Sequence, residues 1–372
     1  MKKPPLHPAS TIPPTSPHGA VLITGGAGFI GTNLADRLLK QGQRVIIFDN
    51  FSRPGVERNL EWLVRSHPDG IEIMDQDIRN VHAITAAVRK ASAVYHFAAQ
   101  VAVTTSLTHP VEDFEINAGG TLNLLEALRC SGRNIPLVFT STNKVYGQLD
   151  DLSLTEAANR YGIRSTDPSA QGINESRPVE FHSPYGCSKG AADQYVLDYA
   201  RTFSLPACVF RMSCIYGSHQ CGTEDQGWVA HFLMQALQGL PVTLYGTGKQ
   251  VRDILYVDDL VDALQLALKH MDVLQGHPFN IGGGPANSVS LMEVVDHISR
   301  ISGQTLRIIP AEWRAADQKF YVSDYRRFSS HTGWRPRTSV PEGLTLLHSW
   351  ISNQAPSLQG AGAALVTIAR PA

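Results

Sequence analysis

The 372 residues carry 32 Lys and Arg against 33 Asp and Glu, a formal net charge of −1, and 43% of them are hydrophobic. A chain of this size buries a substantial core, in one large unit or two lobes. The balanced charge, with no basic block and no interleaving of basic and aromatic residues, excludes nucleic-acid binding as the main activity. No apolar run reaches the roughly 20 residues of a membrane span, so no membrane partner is expected.

Residues 1–18 follow Lys2 and Lys3 with a scatter of prolines from Pro4 to Pro17 and lack the apolar core of a signal peptide, so a flexible leader is expected. The first strand reads from Ala20 to Thr24. It runs at once into Gly25-Gly26-Ala27-Gly28-Phe29-Ile30-Gly31, and a helical pattern continues to Gln41. Strand, glycine loop and helix in that order let backbone amides approach a pyrophosphate, with Gly28 and Gly31 permitting close approach and tight packing. A glycine turn before any helix would look similar, and Asp49 decides between the two. It ends the next strand, read over 44–48, where a carboxylate meets the adenosine ribose hydroxyls and repels a 2′-phosphate. NAD is therefore expected rather than NADP, although Arg53 nearby keeps the phosphate reading open; the simpler view makes it a solvated loop residue.

Further strands are expected at 71–74, 93–97, 136–140 and 206–211. Between them lie amphipathic stretches such as Val111–Cys130, where Leu122, Leu125 and Leu128 share a face. This alternation predicts an α/β fold with a Rossmann-type doubly wound parallel sheet. Ligands collect beyond the carboxyl ends of such strands, where Asp77-Ile78, Ala98-Ala99-Gln100 and Thr140-Ser141-Thr142 fall.

Downstream, Ser183-Pro184-Tyr185-Gly186-Cys187-Ser188-Lys189 sets a phenol and an ammonium four residues apart, on one face of a helix. A phenol titrates near 10, so acid/base work at neutral pH needs a cation beside it, which Lys189 can supply. Thr142, at a strand end, could hydrogen-bond a substrate hydroxyl and assist Tyr185. His96 and His182 lie near this site but belong to no ligand cluster, so neither receives a catalytic role. The five cysteines, Cys130, Cys187, Cys208, Cys214 and Cys221, are odd in number and lack metal-ligand spacing. Reduced thiols in a cytoplasmic protein and no metal are expected, with Cys187 read as helix packing. From residue 353 onward Gly, Ala, Pro and Ser dominate, and a flexible tail is expected.

The glycine loop, Asp49-Asn50, Asp77-Ile78, Asn117, Thr140–Thr142 and Tyr185-xxx-Lys189 together resemble an extended short-chain dehydrogenase/reductase of the NAD-dependent nucleotide-sugar epimerase/dehydratase group. The resemblance spans the expected globular part. It implies an NAD-binding lobe over 19–211 and a smaller C-terminal α/β substrate lobe over 212–352, with some segments returning to the Rossmann sheet. Segments 141–147, 181–194, 225–228 and 248–253, with the long stretch Gln148–His182, resemble the branch that inverts C2 of a CDP-linked hexose.

The resemblance also implies roles. Gly25, Gly28, Phe29, Ile30, Asp49, Asn50, Asp77, Ile78 and Ala98 would contact NAD, with Gln100 and Asn117 close by. Tyr185 would be the acid/base, Lys189 would lower its pKa and hold the nicotinamide ribose, and Thr142 would assist through a hydrogen bond. Arg252 and Arg314 would grip the substrate's diphosphate, while Gln226, Gly227 and Trp228 would line the sugar side. The implied chemistry is transient oxidation of the sugar and return of the same hydride, in a homodimer or homotetramer. Oxidation at C4, or oxidation followed by loss of carboxylate or water, remains open, as does an NAD-binding regulator on the same fold. Asn143-Lys144 stand where 4,6-dehydratases of the group carry an acidic pair. Two positions depart from the pattern: His219 stands where an arginine is expected, and Ala315-Ala316 follow Arg314 where a glycine often precedes the aspartate.

Overall fold

A computed structural model describes residues 19–358 apart from Ala315; the leader 1–18 and the tail residues 359–372 lie outside the described residues. Seven strands form the main sheet: β1 (Ala20–Thr24), β2 (Val45–Asp49), β3 (Ile71–Asp75), β4 (Ala91–His96), β5 (Leu137–Thr142), β6 (Ala207–Met212) and β7 (Pro278–Ile281). Their order is β7-β6-β5-β4-β1-β2-β3, and every neighbouring pair is parallel. The fold is the doubly wound α/β arrangement that the alternation predicts.

Sheets covered by helices on both faces demand strands that are apolar throughout, and the alternating side chains here feed two cores. Val21, Ile23, Val45 and Ile47 face one; Leu22, Ile46, Phe48 and Val94 face the other. Leu22 and Ile23 are both fully buried, each side chain contributing about 1.5–3 kcal/mol of transfer free energy. Helix α1 (Phe29–Lys40) lays Gly31, Leu34, Ala35 and Leu38 on the sheet and carries Arg37 and Lys40 in its last turn, where the helix dipole favours cations.

The chain runs outward from β1 to β3 on one side, then returns to the other side of β1 and runs outward from β4 to β7. Strand order thus reverses between β1 and β4, and a crevice opens there beyond the strand ends. The seventh strand was not among those expected: Pro278 opens it and it spans only four residues. As an edge strand it can begin with proline, and Phe279 and Ile281 are nevertheless fully buried.

Past β6, strand Cys214–Tyr216 pairs with Val251–Tyr256, which also carries Ser288–Ser290 antiparallel and Phe320–Tyr321 parallel. Val242–Tyr245 pairs with Ile308–Ala311. Side chains of helices Trp228–Leu237, Leu291–Ser302 and Val340–Leu358 join one apolar cluster beneath these strands. The last of these helices runs on to Leu358, into the segment expected to be a tail. The stretch Val111–Cys130 is helical as expected, but is broken by one π-helical turn, Glu115–Gly119, that contains Asn117.

Candidate active site

The glycine loop is shaped for an anion. Gly25 has φ +68°, and a Cβ on it would lie 2.7 Å from the Ala98 amide nitrogen. A Cβ on Gly31 would lie 2.5 Å from the Gly25 carbonyl oxygen. Neither position admits a larger residue without moving backbone, which is how the loop holds so tight against the strand ends. A Cβ on Gly28 would meet the Gly25 carbonyl at 3.1 Å and otherwise open space. Gly28 caps α1 without any side-chain cap bond and no acidic residue stands in the first turn, so the amides and the helix dipole face a cradle that fits a pyrophosphate.

Asp49 ends β2 beside this cradle. Its Oδ2 accepts a bond from the Ala27 amide and its Oδ1 one from the Phe51 amide, each at 3.0 Å. Burial pushes its carboxyl up, against the pull of these amides and of Arg53. Arg53 itself is exposed. Asn50 Nδ2 donates to Asp77 Oδ2 at 2.9 Å, and the Arg79 guanidinium holds the Asp77 carboxyl down at about 2. The Ile78 side chain is 4% exposed and packs in the core, so only its main chain can meet a ligand. The Ala98 amide donates to Thr24 Oγ1 at 3.3 Å.

Gln100 and Asn117 are both committed to protein partners. The Gln100 side chain donates to the Ala102 carbonyl and to Asp113 Oδ1, each at 2.8 Å. Asn117 Oδ1 accepts from the Gln100 amide at 2.9 Å, while its Nδ2 donates to Ser188 Oγ at 3.0 Å. Ser188 Oγ in turn donates to Asp113 Oδ2 at 2.5 Å. These two residues tie the loop after β4 to the helix that bears Tyr185 and Lys189. π-turns recur at functional sites, and this one aims Asn117 at Ser188.

Tyr185 and Lys189 stand in helix Ser183–Thr202, with Pro184 in its first turn. Ser183 adopts φ +66°, and its Oγ accepts from the Gly186 amide at 3.2 Å; the Tyr185 amide donates to Ser106 Oγ at 3.1 Å. A non-glycine residue held left-handed two positions before Tyr185 is strain maintained by its surroundings, and it sets the direction from which the phenol enters the crevice. Burial pushes Tyr185 up to about 12, while its hydrogen bond with Thr142 and the charge of Arg53 pull it down. Lys189 Nζ donates to the Thr140 carbonyl at 2.7 Å and lies 4.3 Å from the centre of the Phe139 ring. Burial lowers Lys189 to about 7. The charge of Arg53 thus also bears on the phenol, beside the Lys189 to which the helical spacing points.

Thr142 ends β5, and its Oγ1 accepts from the Lys144 amide at 3.2 Å. Thr142, Tyr185, Lys189, Phe29 and Ile30 line one cavity of about 530 Å³, together with Gln226, Gly227, Trp228, Arg252 and Arg314. Gly227, at φ +79°, starts the helix that Trp228 opens. Thr104 Oγ1, Ser141 Oγ, Gln220 Oε1 and Gln250 Oε1 are buried without a hydrogen-bond partner, and all four residues line this cavity. Buried polar atoms without partners are rare, and these four gather around one cavity.

Arg252 is 6% exposed and its Nη2 bonds Asp317 Oδ1 at 2.7 Å. Arg314 lies 3.2 Å from Asp225 Oδ1 and stacks 3.9 Å from the centre of the Tyr245 ring. Two guanidiniums lining one cavity suit the oxygens of a diphosphate. Lys144, two residues beyond Thr142, also lines the cavity and reaches the same carboxylate, Asp317 Oδ1, at 3.4 Å. Sequence alone had not assigned Lys144, Asp317, Ser188 or Asp113 any role, because their partners lie far away along the chain.

Other expectations resolve as follows. His96 is fully buried between Thr24 and Thr121, and His182 pairs with Glu180 at 3.0 Å. His219 packs between Trp62 and Trp350, with ring centroids 4.1 and 5.3 Å away. Burial lowers it to about 4; it does not line the cavity and so does not replace an arginine on a diphosphate. Cys187, read as helix packing, is exposed, because it projects from the side of the helix opposite the sheet. Among the described residues no group of three or more His, Cys, Asp or Glu could hold a metal, and no helix is long and apolar enough to cross a membrane.

The chain is similar to known proteins over most of its length. The sequence profile of the NAD dependent epimerase/dehydratase family matches residues 21–282. Over 340 residues the chain is 43% identical to the CDP-paratose 2-epimerase of Salmonella typhi, covering 90% of this chain and 99% of that relative. Among solved structures, the Thermus thermophilus UDP-glucose 4-epimerase, crystallised with NAD, superposes with a TM-score of 0.75 at 32% identity, over 90% of this chain and 99% of its own. The Thermotoga maritima UDP-glucose 4-epimerase, crystallised with UDP-glucose, gives a TM-score of 0.77 at 28% identity over the same shares.

Proposed function

Because the chain belongs to the NAD dependent epimerase/dehydratase family, and is an NAD-dependent nucleotide-sugar epimerase, we propose that it inverts C2 of a CDP-linked hexose of the paratose/tyvelose type. The observation that carries this reading is the single cavity lined by Thr142, Tyr185 and Lys189 together with Arg252 and Arg314. Full-length likeness to the Salmonella typhi enzyme supports C2 over C4. Asn143-Lys144 after Thr142 counts against a 4,6-dehydratase.

The glycine cradle and Asp49 would hold NAD, which would supply a reversible hydride acceptor for the sugar carbon. The protein's residues handle the proton and the geometry. Tyr185 Oη takes the proton of the hydroxyl being oxidised and later returns it, with the Thr142 hydroxyl holding the same oxygen; a positioned acid/base of this kind contributes about 10²–10⁴ in rate. Lys189, anchored on the Thr140 carbonyl, offers its remaining donors to the nicotinamide ribose. The carboxylate of Asp49 receives the adenosine ribose hydroxyls. Arg252 and Arg314 grip the diphosphate while the keto sugar turns over, and the unpartnered Ser141, Gln220 and Gln250 atoms meet sugar hydroxyls. A fixed nucleotide end and a free sugar end allow the hydride to return to the opposite face.

A homodimer or homotetramer fits the exposure of Leu107, Val111 and Phe114 on the cofactor lobe, at 51%, 70% and 57%. A cytoplasmic setting fits five cysteines without a disulfide. Proton NMR of product mixtures tests the reading: CDP-paratose is converted to its C2 epimer, while inversion at C4 of UDP-glucose, or loss of water or carbon dioxide from any substrate, overturns it.

A further inference from the structure

Asp317 lines the cavity, and it serves two cations at once. Its Oδ1 receives Arg252 Nη2 at 2.7 Å and Lys144 Nζ at 3.4 Å. Lys144 comes from the short helix directly after Thr142, whereas Arg252 comes from strand Val251–Tyr256. Lys144 Nζ also donates to the Ala316 carbonyl at 3.1 Å, and Ala316 is held at φ +58°.

Arg252 Nη1 donates to the Val251 carbonyl at 2.8 Å and Nη2 to Asp317, so turning the Nη edge of its fork to a diphosphate loosens its hold on Asp317. A largely buried carboxylate stripped of its only cation is costly, and that cost would be charged against substrate binding. A second cation on the same oxygen removes it. We propose that Lys144 is a positioning residue for substrate binding: it keeps Asp317 neutralised and its loop in place, so that Arg252 can turn to the diphosphate of the nucleotide sugar. This rests on the reading of the cavity as a nucleotide-sugar site.

The electrostatics run in the same sense. Burial pushes the Asp317 carboxyl up, but Arg252 and Lys144 outweigh it and hold it below the usual range. Lys144 is itself pulled down by burial and supported by Asp317. Two cations on one carboxylate leave one net positive charge on this part of the wall, which complements a diphosphate. The same contacts also account for Ala316. A non-glycine residue in the left-handed region persists where its surroundings over-determine it, and Lys144 grips its carbonyl from the catalytic segment.

The test is calorimetric titration of the NAD-loaded protein with CDP and, separately, with cytidine, for the parent, Lys144→Gln and Lys144→Arg. Glutamine retains a donor for the Ala316 carbonyl but lacks the charge; arginine restores the charge. The expected result is that Lys144→Gln weakens CDP binding about tenfold, the scale of one charge-assisted bond, leaves cytidine binding unchanged, and that Lys144→Arg recovers most of the loss. A cycle with Asp317→Asn should be non-additive, because Lys144 acts through Asp317. Equal CDP affinity in the parent and Lys144→Gln overturns the proposal, as does an equal loss for CDP and cytidine, or full additivity in the cycle. Failure of the parent to bind CDP overturns instead the reading of the cavity on which the proposal rests.

Discussion

Replacing Asp193 by asparagine should destabilise the protein severely, although Asp193 touches no ligand. It lies two helical turns beyond Tyr185 and is bound bidentately by Arg211 of β6, Nε to Oδ2 and Nη2 to Oδ1, both at 2.9 Å. The two side chains are 1% and 4% exposed. Arg211 Nη1 also donates to the Tyr146 hydroxyl at 3.1 Å, which donates to Asn280 Oδ1 of β7 at 2.8 Å. The pair thus locks the helix carrying Tyr185 and Lys189 to β6 and, through Tyr146, to β7. Asparagine keeps the volume and removes the charge, leaving a buried guanidinium without a counter-ion, a change that costs about 3–5 kcal/mol. Against a total stability of about 5–15 kcal/mol, that is a large share. With a urea m-value near 3 kcal/mol/M, the midpoint should fall by about 1–1.7 M. An apolar pair of similar volume, Asp193→Leu with Arg211→Met, should recover most of the loss, since well-packed apolar replacements of buried ion pairs are often neutral. Urea denaturation followed by circular dichroism reads all three proteins. An asparagine variant within about 1 kcal/mol of the parent, or a double variant no more stable than the single one, would refute the reasoning.

Three further outcomes follow from the geometry. Tyr185→Phe should lower kcat by about 10²–10⁴ with nucleotide-sugar affinity nearly unchanged, since the proton shuttle is lost and the diphosphate grip is not; steady-state kinetics paired with CDP titration check it. His96 should make stability acid-sensitive. Thr121 Oγ1 donates to the Asn117 carbonyl and so accepts from His96 Nε2, while Nδ1 accepts from Thr24, an arrangement that requires the neutral ring. Burial, and then the charge of Lys189, lower His96 to about 3, against about 6.5 unfolded. Its contribution is therefore complete above pH 6.5 and is lost as pH falls toward the folded value, by about 2 kcal/mol at pH 5; His96→Asn should flatten that part of the stability curve, and an unchanged slope between pH 7 and 5 would contradict it. Ala316→Gly should raise stability by up to about 1 kcal/mol, because relief of left-handed strain exceeds the added freedom of the unfolded chain; thermal melts decide.

The parts of this protein that sequence made legible are those governed by local rules. Strands β1 to β6 announce themselves because a sheet covered on both faces needs apolar runs such as Val21-Leu22-Ile23, all three buried. The glycine loop and the Tyr185–Lys189 spacing are equally local: one is dictated by backbone space, the other by helical period. The rest depends on contacts between distant segments. Lys144 and Asp317 meet across 173 positions, and Asn117 and Ser188 across 71, so neither pair leaves a pattern in the chain. Arg53 is an exposed loop residue whose charge reaches Tyr185 only in the folded protein, so no local pattern announces that contribution. His219 stands where a phosphate-binding arginine was expected, yet packing between Trp62 and Trp350 removes it from the cavity. Strand β7 escaped because a proline-led segment of four residues has too little periodicity to read.

The most direct measurement follows CDP-paratose carrying deuterium at C2 through the NAD-loaded enzyme in ordinary water, with proton and deuterium NMR of the product. One cavity, one acid/base and one returning hydride predict the C2 epimer with its deuterium retained at C2. Epimerisation with the label washed out to solvent, or inversion at C4 with C2 untouched, would contradict the account.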